Sequence, residues 1–439
     1  MITLIEFLIV FGAILMGVRF GGAALGVWGG FGLVLISILF GVAPTAPPVD
    51  VMLIILSVCL CASCMEAVGG LEVLVRIAAR IIRSNPKYVA VIAPVVSFFL
   101  TFFAGTGNAV YSLYPVIYEV SYNAGIRPER AMAGVAVAGQ VGITASPIAA
   151  ATAAMIGLLA QNGHSDIGLG SILMVTFPSC LAGVVLGSLI CMRRGKELSE
   201  DPEYQARLAA GEVEPPQKLD DTPLPAKAKL SVLIFLGIIL VIVAAGFFPD
   251  LRLLGGQLKA VSMSTIIEAS MLTGGALITL FCRPNMDRVG KSQILHAGLI
   301  SIAAIFGIAW MSDSFIAANS KFFLEFAGGL AQSAPILFAF VLAIMSALLT
   351  SQGATTRALM PLGFTIGISP MLLVAMFPAV NCLFLLPISG PALAAVGMDR
   401  SGTTKIGKYV FNHSFILPGV LMVSISVLVA FALVKVMGY

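Results

Sequence analysis

Two matched pairs of polar, helix-breaking interruptions constrain this chain more than any other feature. The first pair is Phe103-Ala104-Gly105-Thr106-Gly107-Asn108 followed by Thr144-Ala145-Ser146-Pro147. The second is Thr350-Ser351-Gln352-Gly353-Ala354-Thr355-Thr356-Arg357 followed by Pro387-Ile388-Ser389-Gly390-Pro391. All four sit inside long apolar stretches, where they leave backbone amides and carbonyls without helical partners. Lipid cannot satisfy such groups, so irregular backbone at membrane depth survives only when it is buried in protein or lines a polar cavity. Breaks at corresponding places in two halves are the sequence mark of a midplane binding site.

Composition agrees with a membrane setting. Of 439 residues, 59% are hydrophobic and only 10% charged, which defines a polytopic helical membrane protein. A β-barrel would instead show short alternating segments. The start, Met1-Ile2-Thr3-Leu4-Ile5-Glu6, has no basic leader region, so the first apolar run reads as a retained span. The net charge of +4 fits loops facing an anionic membrane surface and carries no implication of nucleic acid. The seven cysteines are scattered or crowded in apolar sequence, with no His or carboxylate cluster joining the Cys59, Cys61 and Cys64 group, and read as small buried thiols. No cofactor or metal is expected.

The chain divides at one hydrophilic stretch, 193–229, read as a flexible linker between a first half (1–192) and a second (230–439). Spans are expected near 3–18, 20–42, 50–68, 129–160 and 166–192, then near 230–248, 261–282, 293–316, 370–398 and 409–436. The segments 88–118 and 334–366 carry breaks near their middles. Neither half of either segment reaches the roughly 20 residues of a crossing helix, so both read as re-entrant hairpins. The segments 129–160 and 370–398 read as broken helices. With both termini outside, 20 Lys and Arg fall on the cytoplasmic side against 4 outside, with Arg357 in the membrane, as the positive-inside bias requires. Gly107, Leu113 and Pro115 match Gly353, Leu359 and Pro361 without a gap, and each half has an odd number of spans. The expected fold is therefore all-α: two inverted repeats of five transmembrane helices plus one hairpin. Amphipathic stretches at 71–83 and 317–331 precede the hairpins and read as interfacial helices.

Several of these segments carry the motifs of a known family. They include Arg83-x-Asn85-Pro86-Lys87-Tyr88, Phe103-Ala104-Gly105-Thr106-Gly107-Asn108, Ile143-Thr144-Ala145-Ser146-Pro147 and Phe306-Gly307-Ile308-Ala309-Trp310-Met311. Ser351-Gln352-x-Ala354-Thr355-Thr356-Arg357 and Asp399-Arg400-Ser401-Gly402-Thr403-Thr404, running into Asn412-His413-Ser414-Phe415, complete the series. Over essentially its whole length the chain resembles the anaerobic C4-dicarboxylate uptake (Dcu) transporters of the DcuA and DcuB type, within the ion transporter superfamily. The resemblance implies exchange or uptake of fumarate, malate, succinate and aspartate across a bacterial inner membrane. It further implies a scaffold with a moving, elevator-type transport domain and a homodimer; some family members also partner a membrane sensor. One departure bears on preference among the C4 acids: the family often has Pro-Thr-Tyr-Pro where this chain has Pro387-Ile388-Ser389-Gly390-Pro391.

A dianion must be held at the midplane and then released. Neutral donors and helix N-termini can do both, whereas a fixed positive charge tends to trap it. The expected donors are Thr106, Asn108, Ser351, Gln352, Thr355 and Thr356 at the tips, with Ser146 and Ser389 from the broken helices and the amide of Gly107. For each hydroxyl the competing role is a bond back to its own helix. Arg357, the one basic residue placed inside the membrane, either meets a substrate carboxylate or forms an internal ion pair. Asp313 reads as a helix cap, while Glu119 and Glu268 are packed or interfacial acids with proton transfer as the alternative. The three histidines show no ligand spacing. No nucleophile–base motif appears, which excludes the common hydrolase classes. A cation/proton antiporter would place acids at the crossing of the breaks, and this chain places hydroxyls there; a carrier for another small organic anion fits the same donors.

Overall fold

The computed structural model describes residues 2–20, 23–47, 49–213, 225–253, 261–319, 321–322, 336–386, 389–407 and 412–438. Among these residues the architecture is helical throughout, with one isolated antiparallel bridge between Ile406 and His413. Helices α1 (Ile2–Phe20) and α2 (Ala24–Phe40) open the chain, followed by α3 (Val49–Ala67) and α4 (Gly70–Ser84). The first hairpin descends along α5 (Val89–Ala104), turns through a 3-10 run at Gly107–Leu113, and returns along α6 (Tyr114–Asn123). The first broken helix is α7 (Pro128–Ala145) with α8 (Ala150–Gln161), and α9 (Leu169–Cys191) closes this half.

After α10 (Pro202–Ala209) come α11 (Ala226–Phe247), α12 (Met263–Cys282), the short α13 (Met286–Gly290) and α14 (Gln293–Ala304). A π-helical turn at Ile305–Ala309 joins α14 to α15 (Trp310–Ala318). The second hairpin pairs α16 (Ile336–Leu349) with α17 (Gln352–Thr365). Next come α18 (Pro370–Met376), a 3-10 run at Phe377–Leu385, α19 (Gly390–Met398) and α20 (Ile416–Val436).

Eight helical stretches among the described residues are long and apolar enough to cross a membrane. The number is nine if Pro370–Leu385 and Gly390–Met398, bent by 46° at their break, form one span. This differs from the expected ten spans in membership as well as number. The descending arm of the first hairpin, Pro86–Ala104, has 19 residues and is long and apolar enough to cross, where the sequence reading expects neither arm to reach crossing length. The apolar parts of α1, α2 and α16 fall below it. Pro86 starts a 3-10 turn that continues into α5, which adds length that an apolar-run count misses.

The breaks have local causes. Gly105 ends α5 in the left-handed region (φ 69°), open to glycine without cost. Thr350 ends α16 at φ 51°, a conformation rare for a β-branched residue, and Ser351 caps α17 by accepting from the Ala354 amide at 3.3 Å. Pro147 removes a donor just where α7 stops. Small residues let helices touch elsewhere: a Cβ on Gly307 would lie 1.8 Å from the Gly26 carbonyl oxygen, so α2 and the π turn meet backbone to backbone.

Two expectations meet the structure at the surface. The amphipathic stretch 71–83 is α4, with Val73, Ala78, Ala79 and Ile82 buried on one side. Of its expected counterpart at 317–331, residues 320 and 323–331 lie outside the described residues. The stretch 193–229 is not uniformly a flexible linker. Residues 193–213 are docked: Arg130 donates to the Arg194 carbonyl (2.6 Å), to Glu197 (2.9 Å) and to the Gly195 carbonyl (3.0 Å). Residues 214–224 lie outside the described residues.

Candidate functional site

Both hairpin tips and both broken helices meet at one cavity of about 290 Å³. Its wall takes Gly105, Thr106 and Gly107 from the first tip and Thr350, Ser351, Gln352 and Gly353 from the second. Ala150 and Ala151 come from the first turn of α8, and Ser389, Gly390 and Pro391 from the start of α19. Gln140 and Ile143 of α7 line it, as do Ala297 of α14 and Ile305 of the π turn. The first turns of α8, α17 and α19 thus face the same space, each bringing amides without intrahelical acceptors and the positive end of a helix dipole. Among the described residues, none in the wall is charged.

Packing holds the two tips in register. Gln352 Nε2 donates to Gln140 Oε1 at 2.7 Å, tying the second tip to α7. A Cβ on Gly107 would fall 2.6 Å from Gln140 Nε2, so the first tip lies against the same amide, which would have to shift to admit a side chain there. Tyr114 donates from its hydroxyl to the Pro391 carbonyl at 2.8 Å, pinning α19 to the first hairpin. Gln140 was not among the residues expected from sequence, yet it and Thr144 are the only polar side chains in the run 131–145. A lone amide in an apolar intramembrane helix was the available signal.

Of the expected donors, Thr106, Gly107, Ser351, Gln352 and Ser389 line the cavity. The side chain of Asn108 lies outside the described residues, as do Pro387 and Ile388. The hydroxyls of Thr355 and Thr356 donate back to the carbonyls of Ser351 and Gln352, both at 2.7 Å. That is the helix back-bond typical of such residues, and neither lines the cavity. Ser146 donates to the Phe102 carbonyl at 2.8 Å and accepts from the Ile148 amide at 3.4 Å, which stitches the break of α7 to the last turn of α5.

Arg357 also lies outside the wall. Its side chain is 1% exposed, and Nη2 donates to Asp313 Oδ2 at 2.9 Å while Nη1 donates to Gln161 Oε1 at 3.3 Å. Of the two roles open to it, this arrangement is the internal ion pair. Asp313 is accordingly a buried partner on α15, not the helix cap expected from its position; the cap position of α15 is Ala309. Glu119 pairs with Arg83 at 2.8 Å. His413 Nδ1 accepts from the Phe415 amide at 3.2 Å. The seven cysteines are free, six of them buried.

The helices long and apolar enough to cross a membrane define a class, the multi-span membrane proteins. The chain belongs to the family described as anaerobic C4-dicarboxylate membrane transporter, whose model matches residues 2–438. It is 39% identical over 432 residues to the C4-dicarboxylate transporter DcuA of Escherichia coli K12, covering 98% of each chain. It is 38% identical to DcuA of Wolinella succinogenes, covering 98% of this chain and 99% of that one. With the anaerobic C4-dicarboxylate transporter DcuB of Escherichia coli O6:H1 it shares 37% over the full length of both. Its fold is similar to that of the Alcanivorax borkumensis YdaH transporter, which has an unusual topology; the TM-score is 0.59 at 16% identity, covering 90% of this chain and 86% of that one. Members of this family are membrane transporters and not enzymes.

Proposed function

We propose that this protein is a secondary transporter that exchanges or takes up C4-dicarboxylates, namely fumarate, malate, succinate and aspartate, across a bacterial inner membrane. The observation that carries this reading is the convergence of three helix N-termini and two tips on one cavity with no charge in its wall. Fixed dipoles and neutral donors stabilise a carboxylate without the deep trap of a salt bridge. The cavity is near the small end of ligand sites, roughly 300–1,000 Å³, in keeping with a four-carbon solute. A cation carrier would need acids at this crossing, and the wall offers none. Family membership and the names of the relatives support the dicarboxylate class.

In this reading the tips and broken helices of two inverted repeats form the moving unit, and the first three helices of each half form the scaffold. One carboxylate sits against Thr106, the Gly107 amide and the start of α8. The other sits against Ser351, Gln352 and Ser389. Alternating access follows when the unit slides against Ala297 and Ile305 on α14 and the π turn. Arg357 acts through Asp313 on the position of α17 instead of touching substrate.

The test is counterflow. Proteoliposomes preloaded with unlabelled succinate are expected to accumulate labelled fumarate faster than empty ones, with saturation. Equal uptake into loaded and empty vesicles would overturn the carrier reading.

A further inference from the structure

Helix α4 carries a second feature, far in sequence from the breaks and unused by the transport reading. Arg76, Arg80 and Arg83 are spaced four and three residues apart, so their side chains share one face of the helix. With Ala79 and Ser84 they enclose a surface cleft of about 550 Å³. Arg83 is partly committed, its Nη2 bonding Glu119 of α6 at 2.8 Å. Arg76 and Arg80 have no hydrogen bond or ion pair among the described residues, although Glu72 stands one turn before Arg76. Ser84 donates to the Ile81 carbonyl at 2.7 Å, so the donors facing the cleft are guanidinium groups.

The neighbouring stripe of the same helix is apolar and open: Ile77 is 50% exposed and Ile81 46%. The third side packs through Val73, Ala78, Ala79 and Ile82 into the main core. A helix with one buried face, one arginine face and one bare isoleucine stripe is built to lie in the headgroup layer. We propose that the Arg76–Arg80–Arg83 face of α4 binds the phosphate headgroup of an anionic phospholipid, with the acyl chains against Ile77 and Ile81. The charge matches, since a phosphodiester supplies two acceptor oxygens to the forked donors of Arg76 and Arg80, which have no other acceptor among the described residues. The isoleucine stripe selects a lipid over a free phosphate, which has no use for apolar contact. Through Arg83 and Glu119 the bound headgroup would sit beside the returning arm of the first hairpin.

The experiment titrates the full-length protein, purified in an uncharged maltoside detergent, with phosphatidylglycerol or phosphatidylcholine and counts bound lipid by native mass spectrometry. Phosphatidylglycerol is expected to bind with preference over phosphatidylcholine. Arg76→Gln with Arg80→Gln removes two unpaired charges and is expected to weaken phosphatidylglycerol binding roughly 30-fold, at about 1 kcal/mol per arginine. Arg80→Gln alone, at an exposed position, should weaken it about 5-fold and guards against misfolding of the double variant. Binding of phosphatidylcholine should be the same in all three proteins. Unchanged phosphatidylglycerol affinity in both variants overturns the site. Displacement by inorganic phosphate at concentrations that match the lipid shows a free-anion site and overturns the lipid assignment.

Discussion

The two ends of α7 solve opposite electrostatic problems with the same helix. At its start Arg127 bonds Glu129 at 2.7 Å and Asp201 alongside, and Arg130 reaches Glu197. Ser414 donates to Glu129 at 2.7 Å, and Arg194 donates to the Ser414 carbonyl at 2.7 Å. Close by, the Asp399 carboxylate accepts from the Ser401 and Thr404 amides at 2.9 and 2.7 Å. Toward the other end, roughly 18–23 Å along an 18-residue helix, Gln140 and Ile143 face a cavity with no charge in its wall among the described residues. Charges that satisfy one another make a clamp, because separating them leaves each desolvated and alone. Neutral amides and hydroxyls make a site that can be filled and emptied, because their interaction with a carboxylate is moderate and water replaces it readily.

The comparison breaks first where charge is removed. Arg127→Gln leaves Asp201 buried without its cation and Glu129 with only the longer Arg194 contact at 3.9 Å, and is expected to destabilise the protein by roughly 3–5 kcal/mol. Denaturant unfolding in detergent measures this, and fumarate affinity of the folded fraction should stay within about threefold. Arg357→Gln should behave like a member of the clamp despite its place one turn from the second tip, since its partner is Asp313. The expected result is lost yield and stability with the fumarate-to-aspartate uptake ratio unaltered. A ratio shifted against the dianion would return Arg357 to the substrate site.

Removing neutral donors should act on binding and spare the fold. Gln352→Ala and Gln140→Ala each delete an amide from the wall, and losing a hydrogen bond to a charged group costs roughly 1.5–3 kcal/mol. Fumarate affinity, read by competition in counterflow, should fall on the order of 10- to 150-fold. Thr355→Ala is the control, because its hydroxyl is spent on the Ser351 carbonyl. An equal loss at Thr355 would contradict the boundary between wall and helix interior.

That boundary marks what sequence could reveal. The four breaks were legible because glycine, proline and clustered hydroxyls are costly inside an apolar run unless the helix stops there; residues of three of them, and Ile143 and Ala150 flanking the fourth, line one cavity. Which way a hydroxyl points was not legible. Thr106 and Thr355 are the same chemical group near a tip, but one precedes the 3-10 turn while the other sits a full turn into α17, where the Ser351 carbonyl takes its hydroxyl. Pairings across long separations were hidden as well: Arg357 and Asp313 are 44 residues apart, and Arg127 and Asp201 are 74. Residues 193–213 looked like linker because their charges suggested solvent, whereas those charges face Arg127 and Arg130. The contribution of Ala150 and Ala151 is made by backbone, and no side-chain pattern reports it.

The smallest expected effect concerns acid. Burial alone would raise the Asp201 carboxyl, but the Arg127 guanidinium and the amides of Tyr204 and Glu203 outweigh it and hold its pKa below the ordinary carboxylate value. A folded-state pKa below the unfolded one means that the unfolded chain binds more protons between the two values, so stability rises with pH there. The contribution is fully present above about pH 4, the unfolded range for Asp, and is lost as pH falls through the lower folded value. Thermal unfolding in detergent from pH 5 downward should therefore show a falling midpoint. Asp201→Asn removes the titrating group and the counter-charge together: its midpoint should start lower and fall less steeply over the same range. The clamp end of α7 is the place where such a slope belongs, since the described residues of the cavity wall include no acid, base or histidine. A slope as steep in Asp201→Asn as in the parent would assign the acid sensitivity to another carboxylate and remove Asp201 from the clamp.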